Sequence, residues 1–288
     1  MMLTRRRFLT IAAASVACPA GATPSEWRGR ALGADVTLRL AGAADPAGRI
    51  WRKVANALRQ IEARFSLFAD SELTRLNAHG RLGSPSPETQ ALIRLAGEVH
   101  HATHGVFDPT VQPLWRAIAQ GEDPSNARSL AGWDKLRLSE REISLGPGMA
   151  LTFNGIAQGF AADTLAALML AHGFTDVLID AGEIQAVGRH GRDDWQVGMS
   201  SPEGNILRRV ALRDRALATS SPAGTRIGSG MPHILHPDGR PVIWQTVSVS
   251  ASSAALADAL STAFCLMRQP EIESALAHFP DARVEYLG

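Results

Sequence analysis

Between Ala254 and Met267 the sequence reads Ala-Ala-Leu-Ala-Asp-Ala-Leu-Ser-Thr-Ala-Phe-Cys-Leu-Met, which as an α-helix is apolar on nearly every face. A helix of this kind is stable only when other elements surround it, so the segment predicts a buried helix at the centre of a layered domain. Asp258 lies inside it. An isolated buried carboxylate is costly, and such groups are normally paired with a cation or bound to a metal. Thr262 follows four residues later, one helical turn on, so both oxygens face the same side. Magnesium is a hard cation that takes such an oxygen pair, completed by water and substrate phosphates. The competing reading makes Asp258 the acceptor of hydrogen bonds from a neighbouring loop, with Thr262 bonding back to its own helix. From this segment alone the two readings stand level.

The rest of the chain sets the frame. Its 288 residues are 45% hydrophobic and 20% charged, ordinary values for a soluble globular protein. The formal net charge of +1 gives no electrostatic footprint for nucleic acid. Thr4, Arg5, Arg6, Arg7, Phe8, Leu9 and Thr10 fit a twin-arginine export pattern, followed by an apolar run from Ile11 to Ala17 that is too short to span a bilayer. Ala20-Gly21-Ala22 offers a small-x-small cleavage site. Residues 1–22 are therefore expected to be a signal peptide and residues 23–288 a single domain in the periplasm. A lipid anchor at Cys18 is a weaker reading, because Ser15 replaces a branched apolar residue. A basic N-terminal helix of a cytoplasmic protein is the other alternative. With Cys18 in the cleaved segment, Cys265 is left alone and no internal disulfide is expected.

Along the mature chain no repeat or long linker divides the sequence, and the pattern predicts one compact α+β unit. Ile50, Val54, Leu58, Ile61 and Phe65 recur at three- and four-residue spacing and predict a helix from Ile50 to Phe65. Further helices are expected over Pro87–His104, Val111–Ala119, Gly159–His172 and Ser253–Met267. Strand signals fall at Asp35–Leu40, Ala150–Phe153, Val177–Ile179, Ile184–Val187, Trp195–Met199, His233–Leu235 and Thr246–Val249.

Three segments bear on the metal question. Asn154-Gly155-Ile156-Ala157-Gln158-Gly159 joins a strand to a helix, where small residues let backbone approach a ligand and the helix N-terminus favours phosphate. Phe107-Asp108-Pro109-Thr110 puts a carboxylate and a hydroxyl at a rigid turn, an arrangement also suited simply to capping the next helix. His233 opens the stretch His233-Ile-Leu-His-Pro-Asp-Gly239. A lone histidine is more often structural than catalytic, although its near-neutral pKa suits it to accept a hydroxyl proton.

Together these segments resemble the ApbE-like FAD:protein FMN transferase family. Six stretches match in the family's order: Arg64 to Asn77, Gly105 to Thr110, Asn154 to Asp163, Leu217 to Ser220, His233 to Pro237 and Ala257 to Thr262. The resemblance implies a single α+β, T-fold-like domain that moves the FMN part of FAD to a Ser or Thr hydroxyl of a partner protein and releases AMP with magnesium. It implies that Leu32, Phe68, Asn77, Asp108, Pro109, Thr110 and Gln158 line the FAD site. It also implies that the Gly155 carbonyl, Asp258 and Thr262 hold Mg2+, with His233 as base. The expected partner is an exported or membrane-anchored flavoprotein acceptor. Three departures stand out. Gln158 takes the place of a common lysine, Asp180-Ala-Gly-Glu-Ile184 replaces a double-glycine turn and brings Glu183 near the cleft, and His236 replaces an aspartate. An FAD-binding or FAD-hydrolysing periplasmic protein, or a non-catalytic flavoprotein assembly factor, remains the alternative.

Overall fold

A computed structural model describes residues 25–41, 48–200 and 204–288; the export segment, with Cys18, lies outside them. The described chain opens with a hairpin of β1 (Ser25–Ala31) and β2 (Ala34–Leu40), followed by α1 (Arg49–Phe65) and α2 (Glu72–His79). Next come β3 (Arg81–Gly83), α3 (Pro87–Ala102), α4 (Gln112–Gln120), α5 (Pro124–Leu130), β4 (Arg137–Leu138) and β5 (Glu142–Ser144). Then α6 (Ala157–Ala171) leads into β6 (Val177–Asp180), β7 (Ile184–Val187), β8 (Trp195–Ser200), β9 (Ile206–Leu212) and β10 (Arg215–Ser220). A small hairpin, β11 (Arg226–Ile227) and β12 (Met231–Pro232), precedes β13 (Val247–Ala251), α7 (Ala254–Phe264), α8 (Gln269–Leu276) and β14 (Arg283–Leu287).

Seven strands form the main sheet in the order β1-β2-β6-β7-β10-β13-β14, every neighbouring pair antiparallel. Successive side chains point to opposite faces. In β6, Val177 and Ile179 join the main core with α1 and α6, while Leu178 packs into a second core with Trp195, Val197 and Met199 of β8. β6 is thus covered on both faces, which is why Val177-Leu178-Ile179 reads as an unbroken apolar run. The α+β expectation holds.

At the heart of the main core lies α7, with Ala254, Ala257, Ala259, Leu260, Ala263 and Phe264 all fully enclosed. Its partner is α6, and the two helices cap one another. Asp163 of α6 accepts hydrogen bonds from Ala254 N (2.7 Å), Ala255 N (3.0 Å) and Ser253 Oγ (2.7 Å), which satisfies the open donors at the start of α7. In return, Asp258 Oδ2 accepts the N–H of Gly159 in the first turn of α6 at 3.2 Å. The contact demands glycine, because a Cβ at position 159 would lie 2.2 Å from the Ala254 carbonyl oxygen.

Two expected strands are absent. At Ala150–Phe153 the backbone is irregular: Asn77 Nδ2 donates to Leu151 O (2.8 Å) and Asn77 Oδ1 accepts Leu151 N–H (2.7 Å), so a side chain takes the place of a neighbouring strand. His233–Leu235 forms a bend after β12, held by the His233 N–H to Pro222 O at 3.2 Å. The helix expected from Val111 begins at Gln112, after a 3-10 turn over Pro109–Val111, and runs to Gln120.

Candidate active site

A cavity of about 360 Å³ opens where the N-terminus of α6, the middle of α7, the end of β10 and the loop after β12 converge. That size falls within the range of small-molecule sites. One wall carries the cluster anticipated from sequence. Gly155, immediately before α6, packs on Thr262: a Cβ there would lie 2.9 Å from Thr262 Oγ1 and 3.0 Å from its Cγ2. Thr262 Oγ1 is 3.3 Å from Ser220 Oγ, which is itself 2.8 Å from Ser261 Oγ. Asp258, one turn before Thr262, lines the same wall at 3% exposure.

Glu183 reaches this wall from the turn before β7. Its Oε2 accepts the N–H of Thr219 at 3.1 Å, and the residue is 4% exposed. Burial lifts the Asp258 carboxyl from 3.8 to about 7, against the Gly159 N–H, with the Asp163 charge adding to the rise. Burial likewise lifts Glu183 well above the carboxylate range, and the Asp258 charge adds to it. Neither carboxylate has an ion-pair partner among the described residues. Two buried acids facing one cavity without a protein cation form an environment that a bound cation relieves.

His233 lines the same cavity. Its Nδ1 lies 3.0 Å from Pro222 O and 3.2 Å from Thr225 O. Carbonyl oxygens only accept, so Nδ1 carries a proton, and in the neutral imidazole the lone pair is on Nε2. Trp115 Nε1 donates to the His233 carbonyl at 3.1 Å and fixes the bend. At the mouth, Phe68 is 76% exposed, a flat apolar face presented to solvent.

Of the residues anticipated for ligand binding, Phe68, Asp108, Pro109, Gly155, Gln158, His233, Asp258 and Thr262 all line this one cavity. Leu32, Asn77 and Thr110 are not part of its lining. Asn77 is committed to Leu151, as described above. Thr110 is fully buried and bonds Asp108 Oδ1 through its N–H (2.8 Å) and its hydroxyl (2.7 Å), the capping arrangement weighed for this turn. Burial still raises the Asp108 carboxyl against those two bonds. Leu32 sits in the β1–β2 turn at φ 50°, beside Gly33 and Ala34, which do line the cavity. Gln158 packs its amide against Gly182, where a Cβ would lie 2.8 Å from Gln158 Cδ and where the φ of +96° also favours glycine.

Sequence reasoning passed over Trp115 and Arg226, which line the cavity together with Thr219. Only the Leu217–Ser220 match pointed to β10, and nothing marked Trp115 or Arg226. Among the described residues no group of three or more His, Cys, Asp or Glu side chains gathers as a metal cluster. An oxygen set of one carboxylate, one hydroxyl and one backbone carbonyl is a different kind of site.

This antiparallel sheet with mutually capped α6 and α7, and a cavity at their contact that holds two buried carboxylates, defines a single-domain α+β class. The chain belongs to the ApbE family, whose model matches residues 32–286. It is similar to an FAD:protein FMN transferase of Rhodobacter capsulatus, 30% identical over 72% of this chain and 44% of that protein. A second, from Treponema pallidum, is 33% identical over 48% of this chain and 46% of its own length. The chain thus spans about half the length of these curated relatives, and 65% of that from Klebsiella pneumoniae. Among solved structures, the ApbE protein of Thermotoga maritima is similar at 25% identity and TM-score 0.78, covering 91% of this chain and 93% of that one. The fold is shared with flavin transferase ApbE from Vibrio cholerae, at 20% identity and TM-score 0.77 over 92% of this chain and 98% of that one.

Proposed function

We propose that this chain transfers FMN from FAD to a Ser or Thr hydroxyl of a partner protein and releases AMP. One observation carries the reading: Asp258, Thr262 and Gly155 meet on one wall of a cavity whose other walls bear His233 and Phe68. The printed names of the curated relatives support the same activity.

The donors fit magnesium. Asp258, Thr262 and the Gly155 carbonyl are hard oxygen ligands of the kind Mg2+ takes, and the unpaired buried acids are the observation that favours a divalent ion there. When bound, such an ion neutralises diphosphate oxygens and the charge growing on the AMP phosphate. The remaining work belongs to the chain. Phe68 provides apolar contact for the isoalloxazine ring, and the first turn of α6 offers its N-terminal field to the diphosphate. The acceptor oxygen attacks the phosphorus of the FMN half. Its proton passes to Nε2 of His233, and the bond to the bridging oxygen breaks, AMP leaving with the electron pair. Catalysis of this kind is mainly positioning and charge neutralisation.

Incubating the mature chain with FAD, magnesium and candidate exported flavoproteins tests the reading. Covalent FMN mass on a Ser or Thr, with one AMP per flavin attached, is expected. AMP with free FMN alone indicates hydrolysis instead, and no AMP with any acceptor would refute catalysis.

Export by the twin-arginine route to the periplasm is part of the same proposal, resting on Thr4 to Thr10. Changing Arg5 and Arg6 together to lysine should hold precursor in the cytoplasm; undiminished periplasmic protein would overturn it.

A further inference from the structure

Glu183 has no part in the mechanism above, yet it is among the most buried charged side chains of the cavity wall. Its position is set by two anchors. The backbone turn before it is tight, with Gly182 at φ +96° against the Gln158 amide, and Oε2 is held by the Thr219 N–H. Thr219 precedes Ser220, whose hydroxyl touches Thr262, so the Glu183 carboxylate is tied through two residues of β10 to the hydroxyl that faces the cation wall. The second oxygen, Oε1, has no hydrogen-bond donor among the described residues and belongs to a side chain that lines the cavity. Oε2 is taken by the Thr219 N–H, which leaves Oε1 of this largely buried carboxylate available to a ligand in the cavity.

We infer that Glu183 is a positioning residue of the cation site, its Oε1 serving the ion that Asp258 and Thr262 hold, as a direct ligand or as acceptor for a water bound to that ion. This rests on the proposed cation site and extends it. A second carboxylate balances the charge of a divalent ion, so the site holds its ion before any diphosphate arrives. With Asp258 alone, the charge balance waits for the substrate. Glu183 therefore strengthens cation binding in the absence of FAD.

The test is Mn2+ binding to the purified mature chain without FAD, read by electron paramagnetic resonance of the free ion, with magnesium competition. Glu183→Gln keeps an acceptor for the Thr219 N–H and removes the charge. It should weaken Mn2+ binding by tenfold or more, on the scale of lost ligand-supporting groups, while the melting temperature without cation is maintained. Asp258→Asn should weaken binding at least as much. If Asp258→Asn loses affinity and Glu183→Gln binds as wild type does, the inference about Glu183 is overturned and the cation site stands. If neither substitution weakens binding, both fall. Should Glu183→Gln not fold, Glu183→Asp retains the charge one methylene short. An intermediate loss then supports the role, and unchanged affinity refutes it.

Discussion

The N–H of Gly159 donates to Oδ2 of Asp258 at 3.2 Å, so the carboxylate proposed for the cation also accepts from the first turn of α6. Oδ2 serves the fold, and the residue also lines the cavity. Of the two readings that the sequence left level for this residue, the hydrogen-bonded one is seen at Oδ2, and the cation is the one proposed here for the other oxygen.

Asp258→Asn separates these duties. The amide oxygen still accepts from Gly159, so the fold should persist, with a melting temperature without cation equal to or above wild type because a buried charge is gone. Cation affinity and FMN transfer should both collapse. Wild-type activity at limiting magnesium would refute the cation site.

The pH dependence follows from the raised Asp258 carboxyl. Its folded value of about 7 lies above the ordinary 3.8, so the stability it contributes is fully present below about pH 4 and lost as pH rises through about 7. Without cation, wild type should destabilise across that window and Asp258→Asn should do so less. Cation binding has the opposite sign, since the ion displaces the proton. Affinity should fall by about tenfold per pH unit below about 7, which titrations at pH 5.5, 6.5 and 7.5, chosen to bracket that value, read directly. A flat profile counts against the assignment.

Asn77→Ala removes both bonds to Leu151 and leaves a backbone N–H and carbonyl without their partners. A stability loss of about 1–3 kcal/mol is expected, visible in denaturant unfolding. A loss confined to FAD affinity, with unfolding unchanged, would show that Asn77 acts on the ligand instead.

Gln158→Lys adds a positive charge at the start of α6. FAD binding should tighten or stay level, by about 1 kcal/mol at most. Clear weakening in a flavin fluorescence titration would mean that the Gln158 amide makes a specific bond to the ligand.

Cys265 is fully buried, with its thiol 3.3 Å from Ser261 O, and burial pushes the thiol up. Native protein should resist thiol reagents and react only on unfolding. Rapid labelling of the folded chain would mean that the α7 core opens.

What the sequence disclosed, and what it did not, follows from how local each signal is. The burial of α7, the face of α1 and the Asp258–Thr262 pair are set by residues close in sequence, so periodicity revealed them. The resemblance gathered most of the cavity lining. The strand expected at Ala150–Phe153 failed because its partner is the Asn77 side chain, 74 residues away. His233–Leu235 read as a strand on composition, whereas a backbone bond to Pro222 and the Trp115 indole hold it as a bend. Trp115 and Arg226 carried no local signal, because only the folded chain brings them to the cavity.

The mutual capping of α6 and α7 has a consequence for redesign. The groups proposed to hold the ion belong to a self-contained pair of helices with β10 and Glu183 behind them, whereas His233 rides on a bend outside that unit. In the proposed transfer, the incoming hydroxyl arrives beside His233. Residues 226–240 are accordingly the segment to graft between relatives when a different acceptor is wanted, because the exchange leaves the Asp163 and Asp258 caps intact and the cation wall undisturbed.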